Sequence, residues 1–126
     1  MRWLRLDAVL AMHRRQLAEH GGGDGIRDIG LLESALARPQ NIHAYERDAD
    51  IAMLAAAIGF GIAKNHPFID GNERTALVAA RTFLLLNGYE LDATGEDKYV
   101  TFLSLAEGTI SEDELATWLR ERIRAA

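Results

Sequence analysis

One ten-residue stretch separates the two most apolar runs of the chain: His66-Pro67-Phe68-Ile69-Asp70-Gly71-Asn72-Glu73-Arg74-Thr75. It contains a base, a carboxylate, an amide and a guanidinium in close succession. These are the groups that transfer of a phosphoryl or nucleotidyl group from a magnesium-bound nucleotide would require. The stretch therefore predicts a catalytic loop, because a loop that only joined two helices could be polar without containing this particular set of groups.

Helical periodicity flanks this loop on both sides. Residues 50–64 are rich in Ala and apolar nearly all round, which indicates a buried central helix. The apolar positions from Leu77 to Leu86 indicate a second strongly apolar helix, which ends at Asn87-Gly88. The loop is thus expected between the two most buried helices, with its last residues in the first turn of the second one.

Four further helices are expected from their start and stop signals. The first follows Asp7 and stops at the glycine run 21–23. The second follows Asp28 and stops at Pro39, because proline disfavours continuation of a helix. Residues 39–47 are therefore expected to be irregular. The others cover 97–107 and 111–123, with a brief extended piece at 89–91. The sequence predicts an all-α fold: a compact six-helix domain with the motif loop between two central helices.

Composition restricts the remaining possibilities. The 126 residues, 48% of them hydrophobic, fit a single domain spanning 1–126. A net charge of -5 without a dense basic run argues against direct binding of nucleic acid. The chain has no cysteine, and charged residues interrupt its first fifteen positions as they would not in a signal peptide. No run approaches the roughly 18 apolar residues of a membrane span, so we expect no membrane association and a cytoplasmic location.

The loop has the parts of an anion site with a base and a metal ligand beside it. The first turn of a helix carries unpaired N–H groups and the positive end of the helix dipole, which favour a bound anion. Gly71 would let a phosphate approach the backbone closely, Asn72 would add an amide donor, and Arg74 would add a bidentate guanidinium. Asp70 offers a hard oxygen ligand for Mg²⁺. His66 is the candidate general base, since an imidazole ordinarily titrates near pH 6.5.

Each residue also has an ordinary structural interpretation. A histidine before proline is usually a loop residue, an Asp-Gly pair is usually a turn, and an arginine in a first helical turn is usually solvated. The apolar Phe68 between polar neighbours is expected to bury its ring and anchor the loop. The combination at this spacing favours function, whereas the scattered His13, His20 and His43 are interpreted as surface or helix-end residues.

The residues from His66 to Ala76 resemble the signature of the Fic/Doc family, His-x-Phe-x-Asp/Glu-Gly/Ala-Asn-Gly/Lys-Arg. The segments Gly25-Ile26-Arg27-Asp28 and Leu31-Leu32-Glu33-Ser34-Ala35 resemble the N-terminal part of the family's Doc (death-on-curing) toxins. The resemblance implies a compact six-helix fold, ATP and Mg²⁺, and transfer of a phosphate group from ATP to a hydroxyl of a protein. For Doc toxins the implied target is a threonine of elongation factor Tu, which would inhibit translation.

The family also leaves an alternative reaction and implies a partner. Most Fic relatives transfer AMP instead of phosphate, and either reaction would use His66, Asp70, Asn72 and Arg74. As a toxin of a type II toxin–antitoxin module, the protein would need a Phd-like antitoxin whose segment folds as a helix on its surface. The resemblance further implies that residues 41–47 form a flap that aligns the target chain.

One residue departs from the signature. Glu73 stands where AMP-transferring members have Gly and Doc toxins have Lys, a position beside the nucleotide phosphates. Two like charges about 4 Å apart repel by roughly 4 kcal/mol at an effective dielectric near 20. Three interpretations stay open: Glu73 points away and favours only the helix dipole, it shares the metal with Asp70, or it leaves a catalytically impaired binding module.

Overall fold

Six helices and one short pair of strands form the fold in the computed structural model, which describes residues 1–126. The predicted all-α class and the number of helices are confirmed. In chain order the elements are α1 (Leu6–His20), α2 (Ile29–Tyr45), α3 (Ile51–Asn65), α4 (Asn72–Leu86), β1 (Tyr89–Leu91), α5 (Gly95–Glu107), α6 (Glu112–Arg120) and β2 (Ile123–Ala125).

Helix α3 is the centre of the fold and contacts α2, α4, α5 and α6. Its small residues allow this close packing. A Cβ added to Gly61 would lie 2.9 Å from the Cβ of Ala35 in α2, and one added to Gly59 would lie 2.8 Å from the ring of Phe102 in α5. Ten of the fifteen residues of α3 are buried, as the nearly uniform apolar pattern predicted.

Local capping signals account for most helix starts. Asp28 accepts a hydrogen bond from Leu31 N–H and Asp50 accepts one from Met53 N–H, while Ser111 opens α6 through a capping box. Helix α1 differs, because it begins at Leu6 and Asp7 lies in its first turn, where its charge suits the helix dipole.

The expected break at Pro39 is wrong. Helix α2 continues to Tyr45 with Pro39 inside it, so the irregular stretch expected at 39–47 is helical for most of its length. The Pro39 ring is buried, and Leu36 and Ile42 on either side of it pack on the core. Burial of this face favours a continuous helix despite the missing N–H of proline.

The C-terminus also differs from expectation. Helix α6 ends at Arg120, and Ile123 lies in β2, which pairs antiparallel with β1 in the register Leu91 to Ile123. The extended piece expected at 89–91 is confirmed, because this pairing satisfies its backbone groups. None of the six helices has the combination of length and hydropathy that crossing a bilayer requires.

The loop between α1 and α2 lies against the motif loop between α3 and α4. Ile26 and Phe68 form an antiparallel bridge, and backbone hydrogen bonds join Arg27 N to Pro67 O at 2.7 Å and Ile69 N to Gly25 O at 3.2 Å. The segment that pairs with the motif is therefore residues 25–28. The flap expected at 41–47 lies instead within α2 as far as Tyr45.

Candidate active site

His66 caps the C-terminus of α3 and begins the motif loop. Its backbone is left-handed, with φ 49° and ψ 58°, and it is the only non-glycine residue with a positive φ. Its carbonyl accepts a hydrogen bond from Arg27 Nε at 2.7 Å. The imidazole is on an exposed residue and makes no hydrogen bond within the chain, so neither ring nitrogen is occupied by a protein partner.

The loop is closed by Phe68 and Asn72. Phe68 is 1% exposed, which confirms the expected burial of its ring. The Asn72 side chain is also buried, accepts a hydrogen bond from Phe68 N–H at 3.0 Å and donates one to Phe68 O at 2.9 Å. This buried amide bridges the loop with Oδ1 and one of its two Nδ2 hydrogens, and the backbone N–H of Asn72 at the helix start is a further donor that suits a phosphate.

A third residue that holds the loop was missed by the sequence analysis. His13 of α1 is 3% exposed, stacks on Phe68 with ring centroids 3.7 Å apart, and places Nε2 2.8 Å from the carbonyl oxygen of Asp70. The interpretation of His13 as a surface residue is wrong. Its place on the apolar face of α1, in line with Val9 and Leu17, is the signal that points inward.

Asp70 presents an ionised carboxylate at the mouth of the loop. Its Oδ2 accepts a hydrogen bond from Gly23 N–H at 3.1 Å and its Oδ1 accepts one from Gly71 N–H at 2.8 Å. These two bonds, with a smaller effect of the nearby His13, hold the pKa of Asp70 below its ordinary value of 3.8. Each oxygen keeps further lone-pair capacity, so the carboxylate can still accept a cation.

The start of α4 opens into a cleft of about 240 Å³. Gly71 is the N-cap, with φ 76°, and contributes no side-chain cap to the first turn of the helix. The first N–H groups of α4 therefore have no helical or capping partner and suit an anion. The cleft is lined by Gln16, Leu17, His20, Gly21, Gly22, Asp70, Gly71, Glu73 and Arg74.

Arg74 is held by an aromatic ring. Its guanidinium carbon lies 4.7 Å from the ring centroid of Tyr99 in α5, and the side chain forms no salt bridge. Its N–H donors therefore stay available to an oxyanion while the stacking limits their direction. No local sequence pattern indicates this contact, because Tyr99 is 25 positions further along the chain.

The charges of the cleft are consistent with a bound cation. Asp70 and Glu73 supply two carboxylates against the single guanidinium of Arg74, and a triphosphate would add further negative charge. No group of three metal-ligating side chains exists in the chain, so the protein alone does not build a metal cage. The donor set fits Mg²⁺ in its usual mode, with one carboxylate, waters and nucleotide phosphates as ligands.

The structure thus brings Asp70, Gly71, Glu73 and Arg74 to one cleft, while His66 and Asn72 lie outside its lining. A larger cleft of about 430 Å³ lies between α2, α3 and α6. It is crossed by the Arg38–Glu112 salt bridge and contains no residue of the motif loop. We therefore assign the candidate active site to the smaller cleft and the loop beside it.

Comparison with known proteins agrees with the motif. Residues 3–84 match the Fic/DOC family. The chain is 48% identical to "Toxin Doc" of Mycolicibacterium smegmatis over 77 residues, which are 58% of this chain and 57% of that protein. It is 33% identical to "Protein kinase doc" of Escherichia phage P1 over 120 residues, 95% of this chain and 94% of that protein. The chain belongs to the Fic/Doc family, and within it groups with the Doc toxins.

Proposed function

We propose that this protein is the toxin of a toxin–antitoxin module and transfers the γ-phosphate of ATP to a hydroxyl of a protein. The observation that carries the proposal is the motif loop itself. Its first residue, His66, exposes an imidazole, and its last residues combine an ionised Asp70 with the uncapped start of α4. The name of one relative, "Toxin Doc", supports the toxin role, and that of the other, "Protein kinase doc", supports phosphate transfer to a protein.

The chemistry assigns one task to each group. The hydroxyl oxygen of the target attacks the γ-phosphorus, the bond from that phosphorus to the β,γ-bridging oxygen breaks, and ADP leaves. His66 accepts the hydroxyl proton. The N–H groups at the start of α4 and the guanidinium of Arg74 bind phosphate oxygens and stabilise the charge that spreads over them.

Asp70 would hold the magnesium ion of the bound nucleotide. When bound, Mg²⁺ supplies charge neutralisation on the phosphates. Asp70 is suited to this because Gly23 and Gly71 fix its two oxygens and keep it ionised. The Tyr99 ring restricts Arg74 in the same way, so both charged groups are oriented before the nucleotide arrives.

We infer the target and the partner from the family resemblance. Elongation factor Tu would be modified on a threonine, which would stop translation, and a Phd-like antitoxin would neutralise the toxin. ATP and this translation factor meet in the cytoplasm, which is where the function would operate. Transfer of AMP is the alternative reaction: attack would then fall on the α-phosphorus, and pyrophosphate would leave.

A second candidate function follows from Glu73. This carboxylate lines the same cleft as Asp70 and Arg74 and forms no salt bridge that would neutralise it. Its repulsion of the nucleotide phosphates would weaken ATP binding. The protein would then be a catalytically impaired module that binds its antitoxin through the same fold.

Intact-mass analysis of elongation factor Tu after incubation with this protein and MgATP tests the proposal. Phosphate transfer adds about 80 Da and AMP transfer about 329 Da. The modification should disappear with His66→Ala and persist with His43→Ala, whose imidazole is exposed on α2 away from the loop. An unchanged mass with both wild-type protein and Glu73→Gly would contradict transfer to this target.

A further inference from the structure

The backbone of His66 is held in an unfavourable conformation. At φ 49° and ψ 58° it lies in the left-handed region, which residues with a Cβ adopt rarely. Pro67 follows it, and the residue before a proline normally prefers extended backbone. Such a conformation persists only where surrounding contacts hold it, and these conformations concentrate at functional sites.

Arg27 supplies those contacts. Its Nε donates a hydrogen bond to His66 O at 2.7 Å, and its Nη2 donates one to Asn65 O at 2.6 Å. Its backbone N–H donates to Pro67 O at 2.7 Å. One residue therefore binds three consecutive carbonyls across the turn that carries His66. Two of these carbonyls belong to the end of α3, where helical partners are absent and a positive charge is favoured.

No hydrogen bond within the chain holds the imidazole of His66, which lies on an exposed residue. The backbone of residue 66 fixes the position of its Cβ and therefore the region that the ring can reach. A general base must lie within hydrogen-bond reach of the proton it accepts, and small displacements lower the rate strongly. Anything that fixes the backbone of residue 66 consequently fixes where the base can reach.

We propose that Arg27 is a positioning residue that sets where the His66 imidazole can reach, because it holds the backbone turn through the carbonyls of residues 65–67. This inference rests on the proposed function of His66 as general base. Arg27 does not line the cleft at the start of α4, so it acts on the proton transfer and not on nucleotide binding. A role limited to stabilising α3 would instead change stability without changing turnover of the folded protein.

A matched control exists just after α6. Arg122 Nη1 donates a hydrogen bond to Trp118 O at 3.1 Å, so it also binds a carbonyl at the end of a helix, but far from the motif loop. The test compares Arg27→Met with Arg122→Met in the full chain. The readouts are kcat and KM for MgATP in transfer to elongation factor Tu, and the φ angle of residue 66 from NMR scalar couplings.

The proposal predicts that Arg27→Met lowers kcat at least tenfold with KM for MgATP within twofold of wild type. The couplings of residue 66 should change from those of one positive φ to an average over several conformers, and Arg122→Met should change neither readout. Should Arg27→Met not fold, Arg27→Gln takes its place with the same readouts. A wild-type kcat, or an unchanged positive φ, in the folded variant would overturn the proposal.

The transfer kinetics and the NMR couplings together separate this inference from the proposed function. Absence of any transfer by wild-type protein counts against the proposed function alone. In that case the couplings of residue 66 still decide the inference, because they report the Arg27 contacts without catalysis. Averaged couplings in Arg27→Met would support the positioning contact, and unchanged couplings would overturn it.

Discussion

His13 on α1 and Asp70 in the motif loop are joined by a hydrogen bond of 2.8 Å from the imidazole Nε2 to the Asp70 carbonyl oxygen. The carbonyl can only accept, so Nε2 carries the hydrogen. The same ring stacks on Phe68 at 3.7 Å. One buried side chain therefore fixes both the middle of the loop and the residue that we propose as metal ligand.

Replacement of His13 by phenylalanine tests this relationship. His13→Phe keeps a ring against Phe68 and loses the hydrogen bond to Asp70, which should lower the free energy of unfolding by about 1 kcal/mol. Release of Asp70 should also raise the Kd for MgATP several-fold in calorimetric titration. His43→Phe, at an exposed position of α2, is the control. Unchanged MgATP affinity in His13→Phe would show that the loop keeps its shape without this bond.

The charge of Glu73 is predicted to limit nucleotide binding. Glu73→Gln removes the charge and nearly preserves the shape, so it should tighten MgATP binding about tenfold, equivalent to about 1.4 kcal/mol. Glu73→Lys should tighten binding further and raise phosphotransfer to elongation factor Tu. Glu107→Gln, exposed at the end of α5, should change neither quantity. Equal or weaker binding by Glu73→Gln would mean that the carboxylate points away from the phosphates or helps to hold the metal.

Asp50 couples stability to pH. It caps α3 through Met53 N–H and binds Arg120 of α6 through two hydrogen bonds, of 2.6 and 3.1 Å. The Arg120 hydrogen bond is the main reason that the pKa of Asp50 lies below its ordinary value of 3.8. Asp50→Asn keeps a capping acceptor and should lower the free energy of unfolding by only about 0.5 kcal/mol at neutral pH, because the ion pair is exposed to solvent. Asp50→Ala also loses the cap and should lower the free energy of unfolding by about 1 kcal/mol more.

The sign of the pH dependence follows from the lowered pKa. The stabilisation by ionised Asp50 is complete above its unfolded-state pKa and is lost as pH falls through the folded-state pKa. The difference between wild type and Asp50→Asn in urea unfolding should therefore stay constant from pH 7 to about pH 5 and shrink below about pH 4. A difference that grows on acidification would contradict the assignment.

Local signals in the sequence were sufficient to predict where many of the helices begin and end. Asp28, Asp50 and Ser111 each stand one residue before a helix, and each cap uses a partner three positions away. Gly108 ends α5 in a left-handed conformation for the same local reason. The motif loop was also recognisable, since its reactive groups are contiguous in the chain.

The features that sequence analysis missed depend on residues far apart in the chain. Burial of the Pro39 ring continues α2, and pairing with β1 removes Ile123 from α6. His13 meets Asp70 across 57 positions, and Arg27 meets His66 across 39. Such contacts arise from the packing of whole helices, which periodicity within one helix does not specify.

Calorimetric titration with MgATP tests the central claim, that the start of α4 with Asp70 and Arg74 is a nucleotide site. We predict binding by Glu73→Gly that is weakened at least tenfold when Arg74→Ala is added, because the guanidinium and the helix start share the phosphates. Arg81→Ala, further along α4 and outside the cleft, is the control and should have no effect. The claim would be contradicted if neither wild-type protein nor Glu73→Gly bound MgATP. It would also be contradicted if Arg74→Ala left the binding affinity unchanged.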